Sequence, residues 1–85
     1  MEKTITVKLA NGLHARPATK LVKIAGSFKS SIILRHGDKE INAKKLIALM
    51  KAGIKHGEEI TLIAHGEDEA EALQAVEHFF MHDED

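Results

Sequence analysis

One histidine in this chain stands apart by its company. The segment Asn11-Gly12-Leu13-His14-Ala15-Arg16-Pro17-Ala18 sets a turn, a histidine and an arginine ahead of a run with helical periodicity. Asn-Gly breaks the extended stretch before it. Ala18, Leu21, Val22 and Ala25 then recur at i, i+3, i+4 and i+7, with Lys20 and Lys23 on the other side. Pro17 is tolerated only in a first helical turn, where no intrahelical donor is yet required, so His14 is placed at the N-cap and Pro17 third in the helix. At such a terminus backbone N–H groups and the positive end of the helix dipole converge, which suits an anion. Arg16 adds a planar cation whose donors match phosphate oxygens. A nucleophilic imidazole in that cradle could carry a phosphoryl group reversibly, with the phosphoryl oxygens meeting their donors only after transfer. The same residues also fit a plain N-cap beside a solvated arginine, and the segment alone leaves both readings open.

The other candidate groups offer less. The chain has no cysteine, which excludes disulfides, thiolate nucleophiles and cysteine-type zinc sites. His36 falls in a hairpin turn, His56 in a loop and His65 at a strand end, each simplest as a surface residue. His78 and His82 stand at i, i+4, a spacing that can hold a metal on a helix, with Asp83 and Asp85 following. No third ligand is fixed there, so no metal is expected, and no cofactor.

The elements that must position His14 follow from periodicity. Residues 3–9 alternate, with Ile5, Val7 and Leu9 on one face, and read as a half-buried strand. The helix from Ala15 to about Ala25 is expected to stop at Gly26 in a C′ position. Residues 30–36 form a second strand, 36–39 a hairpin turn and 40–42 the start of a third strand. Lys44–Lys51 makes a two-turn helix. Glu58–His65 alternates as a fourth strand, and Asp68-Glu69 opens a last helix with acids in its first turn. The order β-α-β-β-α-β-α implies an α+β fold: an open-faced β-sandwich, a four-stranded antiparallel sheet with three helices on one face. At 85 residues, with no linker or repeat, the chain reads as a single domain over 1–85.

Charge is distributed unevenly. All 12 Lys and Arg lie in residues 1–55 against only Glu2, Asp38 and Glu40, while residues 56–85 hold the other acids and no Lys or Arg. A basic face is therefore available for an anionic metabolite, an acidic protein or nucleic acid. The three aromatic residues, Phe28, Phe79 and Phe80, sit in no base-stacking motif, which argues against nucleic acid. No apolar run is long enough to cross a bilayer, and the N-terminus lacks a secretory signal's apolar region. A cytoplasmic protein without membrane insertion is the expectation.

Gly12-Leu13-His14-Ala15-Arg16-Pro17-Ala18 resembles the active-site signature of HPr, the histidine-containing phosphocarrier of the bacterial phosphoenolpyruvate–sugar phosphotransferase system. The likeness extends over essentially the full chain, including the element order, the second helix and the stretch Gly57–Ala64 with Gly66–Glu69 after it. It implies that His14 accepts a phosphoryl group at Nδ1 from phosphorylated enzyme I and passes it to a histidine of an enzyme IIA-type domain. The same resemblance gives Arg16 and the helix start at Ala15, Arg16 and Pro17 the role of holding the phosphoryl group. It makes Leu46, Ile47 and Met50, with Ala15, Lys20 and Lys23, a surface for docking acidic partners, and it implies a monomer that relays phosphate without being an independent enzyme. Lys45 stands where many Gram-positive members carry a kinase-regulated serine, so that switch is expected to be absent. A nitrogen-type HPr paralogue in a regulatory relay is the alternative within the family. Outside it, a basic-faced ligand- or nucleic-acid-binding module using Lys44, Lys45 and Lys51 is the rival.

Overall fold

The computed structural model describes residues 1–82. The elements are β1 (Glu2–Thr6), α1 (Ala15–Gly26), β2 (Ser31–His36), β3 (Lys39–Asn42), α2 (Leu46–Lys51), β4 (Glu59–His65) and α3 (Glu69–His82). The four strands form one antiparallel sheet in the order β1-β4-β2-β3. The helices cover one face, and the fold is the expected open-faced α+β sandwich.

Alternation decides which face is covered. Ile60, Leu62 and Ala64 of β4 and Ile32 and Leu34 of β2 point inward and are buried, and the β2–β4 register sets Leu34 beside Leu62 and Ile32 beside Ala64. Against them pack Ala18, Leu21 and Ala25 of α1, Leu49 of α2, and Ala72, Val76, Phe79 and Phe80 of α3. The Phe79 and Phe80 rings meet edge to face, their centroids 5.1 Å apart, a favourable aromatic geometry. The opposite sheet face is open: Thr4 and Thr61, paired across β1 and β4, share a hydroxyl hydrogen bond of 2.9 Å.

Several boundaries differ from the sequence reading: α2 begins at Leu46, with Lys45 as its N-cap, and not at Lys44, and two other differences have a local cause. β1 ends at Thr6 and not at residue 9, because Lys8 N–H is taken by the Phe80 carbonyl at the end of α3 (3.0 Å). Val7 and Leu9 stay buried nonetheless, so the alternation reported burial correctly past the end of the ladder. Gly26 is not a left-handed C′ residue. It is the last residue of α1, and Ser27 follows in right-handed conformation (φ −80°, ψ −8°). There the Ser27 N–H and Oγ both donate to the Ile24 carbonyl, so a side chain closes the helix end in place of the glycine turn.

Candidate functional site

His14 is the N-cap of α1, with extended backbone (φ −111°, ψ −165°), and its ring makes no capping hydrogen bond to the helix. His14 thus holds the N-cap position through its backbone and not through its side chain. The first intrahelical bond runs from Ala18 N–H to the His14 carbonyl (2.8 Å), so the amides of Ala15 and Arg16 precede the ladder at the positive end of the dipole. His14, Ala15 and Arg16 are exposed. Pro17 is third in the helix, as its missing donor requires, and is buried. It was expected among the phosphoryl-binding residues, but with no N–H it cannot donate to an oxyanion. Its contribution is to preset the helical φ of the first turn.

The loop that delivers His14 is held by the loop between α2 and β4. Leu13, buried, donates its N–H to the Ile54 carbonyl (2.9 Å), and Ile54 is itself buried. Gly12 has φ +73°, and a Cβ there would lie 2.7 Å from the Ile54 carbonyl oxygen and 3.0 Å from Lys55 Cα. Glycine is therefore required twice over, by its backbone conformation and by the close approach. Gly12 N–H closes a turn onto the Leu9 carbonyl (3.1 Å), and the His56 ring reaches the same carbonyl through Nδ1 (3.1 Å). Glu58 braces the second loop: its Oε1 accepts from Lys55 N–H (2.7 Å) and from His36 Nε2 (3.1 Å). The Lys55 amide, with the neighbouring His36, holds the Glu58 carboxyl below the usual carboxylate range.

These contacts change the reading of His36 and add a partner to His56. His36, taken for a surface residue, is half-buried and paired with Glu58, because it closes β2 where β4 begins. His56 lies in a loop as expected, but its ring is engaged. Neither role was visible in sequence. Gly53 and Gly57, which bracket Ile54-Lys55-His56, both have positive φ, yet nothing local in the sequence shows which loop this turn faces. The His78 and His82 rings meet in a tilted arrangement with centroids 4.7 Å apart. Among the described residues no three acidic or histidine side chains gather as a metal site, and Asp83 and Asp85 lie outside the described residues.

α1 packs against α2. A six-residue helix cannot bury four large side chains on one face. Leu49 is fully buried and Leu46 partly, while Ile47 and Met50 are 63% and 46% exposed. Lys20, Lys23, Lys45 and Lys51 are exposed on the same two helices or at their ends. Lys44 departs from this group: its ammonium donates to the Phe28 carbonyl (2.8 Å) and is committed to the fold, which weakens the rival basic-face reading that relied on it. Lys45 is the N-cap of α2 and makes no side-chain capping bond.

The family description "PTS HPr component phosphorylation site" matches residues 1–82. The chain belongs to the HPr family. HPr-like protein Crh of Bacillus subtilis is 43% identical over 74 residues, 87% of each chain, and that of Halalkalibacterium halodurans is 45% identical over 76 residues, 89% of this chain and 90% of the relative. Among solved structures, the phosphocarrier protein HPr of Bacillus anthracis superposes with a TM-score of 0.91 at 36% identity, over 94% of this chain and 95% of that one. A crystal structure of Bacillus subtilis Crh, described as a swapped dimer, gives 0.77 at 42% identity over 89% and 87%. The HPr likeness inferred from the residues around His14 thus holds over the whole described chain. No described helix is long and apolar enough to cross a membrane.

Proposed function

We propose that this HPr-family protein carries a phosphoryl group on His14, accepting it from phosphorylated enzyme I and passing it to enzyme IIA-type domains in phosphoenolpyruvate-dependent sugar uptake, in the cytoplasm. The observation that carries the reading is the placement of His14: an exposed imidazole at an N-cap that it does not itself cap, directly before the Ala15 and Arg16 amides. In-line attack by Nδ1 on the incoming phosphorus forms a P–N bond as the donor histidine's P–N bond breaks. The transferred group brings negative oxygens to the helix start, where those amides and the Arg16 guanidinium stabilise them. Transfer onward reverses the step. Because a phosphoramidate forms and breaks with little change in free energy, positioning is the protein's main contribution.

Ile47 and Met50, exposed on the helix that packs against α1, with Lys45 and Lys51 exposed at the ends of α2 and Lys20 and Lys23 exposed on α1, fit an acidic partner surface with an apolar centre. Lys45 at the α2 N-cap leaves no hydroxyl for a serine kinase at that place. The relatives named Crh include dimers, so the proposed monomer is tested directly by mass in solution. Incubation with phosphoenolpyruvate, magnesium and catalytic enzyme I, followed by intact mass and phosphorus NMR, tests the reading: one acid-labile phosphoryl group on His14 is expected. Faster labelling by the nitrogen-type enzyme I paralogue would assign the regulatory relay instead. No labelling by either would end the carrier reading.

A further inference from the structure

We propose that His56 is a positioning residue for His14: its ring pins the carbonyl on which the site loop turns. This rests on the carrier reading only in what the loop is positioned for; the clamp itself is a matter of structure.

The Leu9 carbonyl is the fixed point of the loop. It accepts Gly12 N–H (3.1 Å), which closes the turn, and it accepts His56 Nδ1 (3.1 Å) from a residue 47 positions away in sequence. A carbonyl oxygen has two lone pairs and can satisfy both donors, but it has no proton to give, so the ring must donate. That assigns the Nδ1–H form to His56. Both the Nδ1–H neutral tautomer and the imidazolium donate from this atom, so the bond persists whichever charge the ring carries. The alternative Nε2–H tautomer is the one form it excludes.

The other hydrogen bonds that anchor this loop among the described residues are made by backbone, and the side chains of Leu9 and Leu13 anchor it by burial. Val7 exchanges bonds with Glu58 and Gly57, Lys8 N–H goes to Phe80, and Leu13 N–H goes to Ile54. Between Lys8 and Leu13 the His56 bond is the one side-chain hydrogen bond to another loop among the described residues. Residues 10–12 would otherwise turn with only the Gly12–Leu9 bond across them. A loop free to pivot there would shift His14 relative to the Ala15 and Arg16 amides that must receive the phosphoryl oxygens, and misplacement on the ångström scale is costly for an in-line transfer. His56 is exposed overall, so its side chain contributes little packing, and its loss removes a directional bond from a core that stays intact.

His56→Ala and His56→Asn separate these points, since the Asn Nδ2 stands where the imidazole Nδ1 does. In the unphosphorylated protein, amide exchange at Gly12 and Leu13 should rise about 2- to 10-fold in His56→Ala, the loss of one hydrogen bond, while Leu34 and Leu62 stay as in wild type. With enzyme I, kcat for labelling should fall by a similar factor with KM unchanged, because the docking residues on α2 are untouched. His56→Asn should restore both. Wild-type exchange and wild-type kcat in His56→Ala would overturn the proposal, as would a rise in KM alone or failure of Asn to rescue. If wild type itself is not labelled, the carrier reading falls, and the exchange at Gly12 and Leu13 still decides whether His56 holds the loop.

Discussion

The two ends of the β2–β4 pair are each braced by a carboxylate, and they are finished differently. At the end remote from the site, Asp68 accepts from Lys29 N–H (2.9 Å), Ser30 N–H (2.9 Å) and the Ser30 hydroxyl. Ser30 is the one buried polar residue of the described chain, and the Cβ-free Gly66 sits against it. The Ser30 hydroxyl first, then the Lys29 amide, hold the Asp68 carboxyl down at about 2. This end ties the start of β2 to the turn that opens α3. At the other end, Glu58 accepts one amide and one histidine, and the loops it braces carry three positive-φ glycines, Gly12, Gly53 and Gly57. Its donors at the start of α1 and its apolar side chains on α2 face outward. The difference shows how a small domain divides its work: one end saturates its polar groups for the fold, while the other holds its backbone firmly and presents what remains to a partner.

The comparison can be broken at either end. The largest effect belongs to His14→Ala, which should abolish phosphoryl labelling while circular dichroism keeps its wild-type form, since the ring makes no capping bond to α1; residual labelling would place the phosphate elsewhere. Arg16→Ala should slow transfer by about 100-fold, the usual effect of removing one charge-stabilising donor, without weakening docking measured by titration calorimetry. Gly12→Ala should cost about 1–3 kcal/mol, because the left-handed φ and the 2.7 Å approach to Ile54 must both be relieved. That is a drop in Tm of roughly 4–8 °C for each kcal/mol in a domain of this size. Ile47→Ser should weaken partner binding by about 5- to 30-fold and leave stability within about 0.5 kcal/mol, as its 63% exposure implies.

The smallest effect sharpens the contrast. Asp68 is held at about 2 in the folded protein against an ordinary 3.8. Its contribution to stability is therefore complete above pH 3.8 and disappears as pH falls toward 2. Asp68→Asn should lower Tm at neutral pH, and the gap from wild type should close between pH 4 and 2. Labelling of His14 should proceed at the wild-type rate throughout the neutral range. A variant at this end that slowed transfer would show that the two ends are coupled.

The sequence by itself determined the strands, the helices and their order, because period 2 and period 3.6 are local properties of side-chain direction. It also determined the start of α1 to the residue: Pro17 has no N–H and fits only ahead of the first intrahelical bond. The exposure of some of α2 followed from counting large side chains against two turns. Which ones are exposed did not, since Ile47, Leu49 and Met50 are equivalent until α1 and the sheet take one face. Gly26 misled for a similar reason, as a glycine permits a left-handed turn without requiring one. Tertiary structure alone decided that Lys44 serves Phe28, that His36 meets Glu58, and that Gly12 lies against Ile54. Each of these joins residues 16 to 42 positions apart, by a hydrogen bond of 2.8 or 3.1 Å or by a backbone approach that leaves no room for a Cβ. Contacts of that range depend on how two loops meet in space, and no spacing along the chain records it.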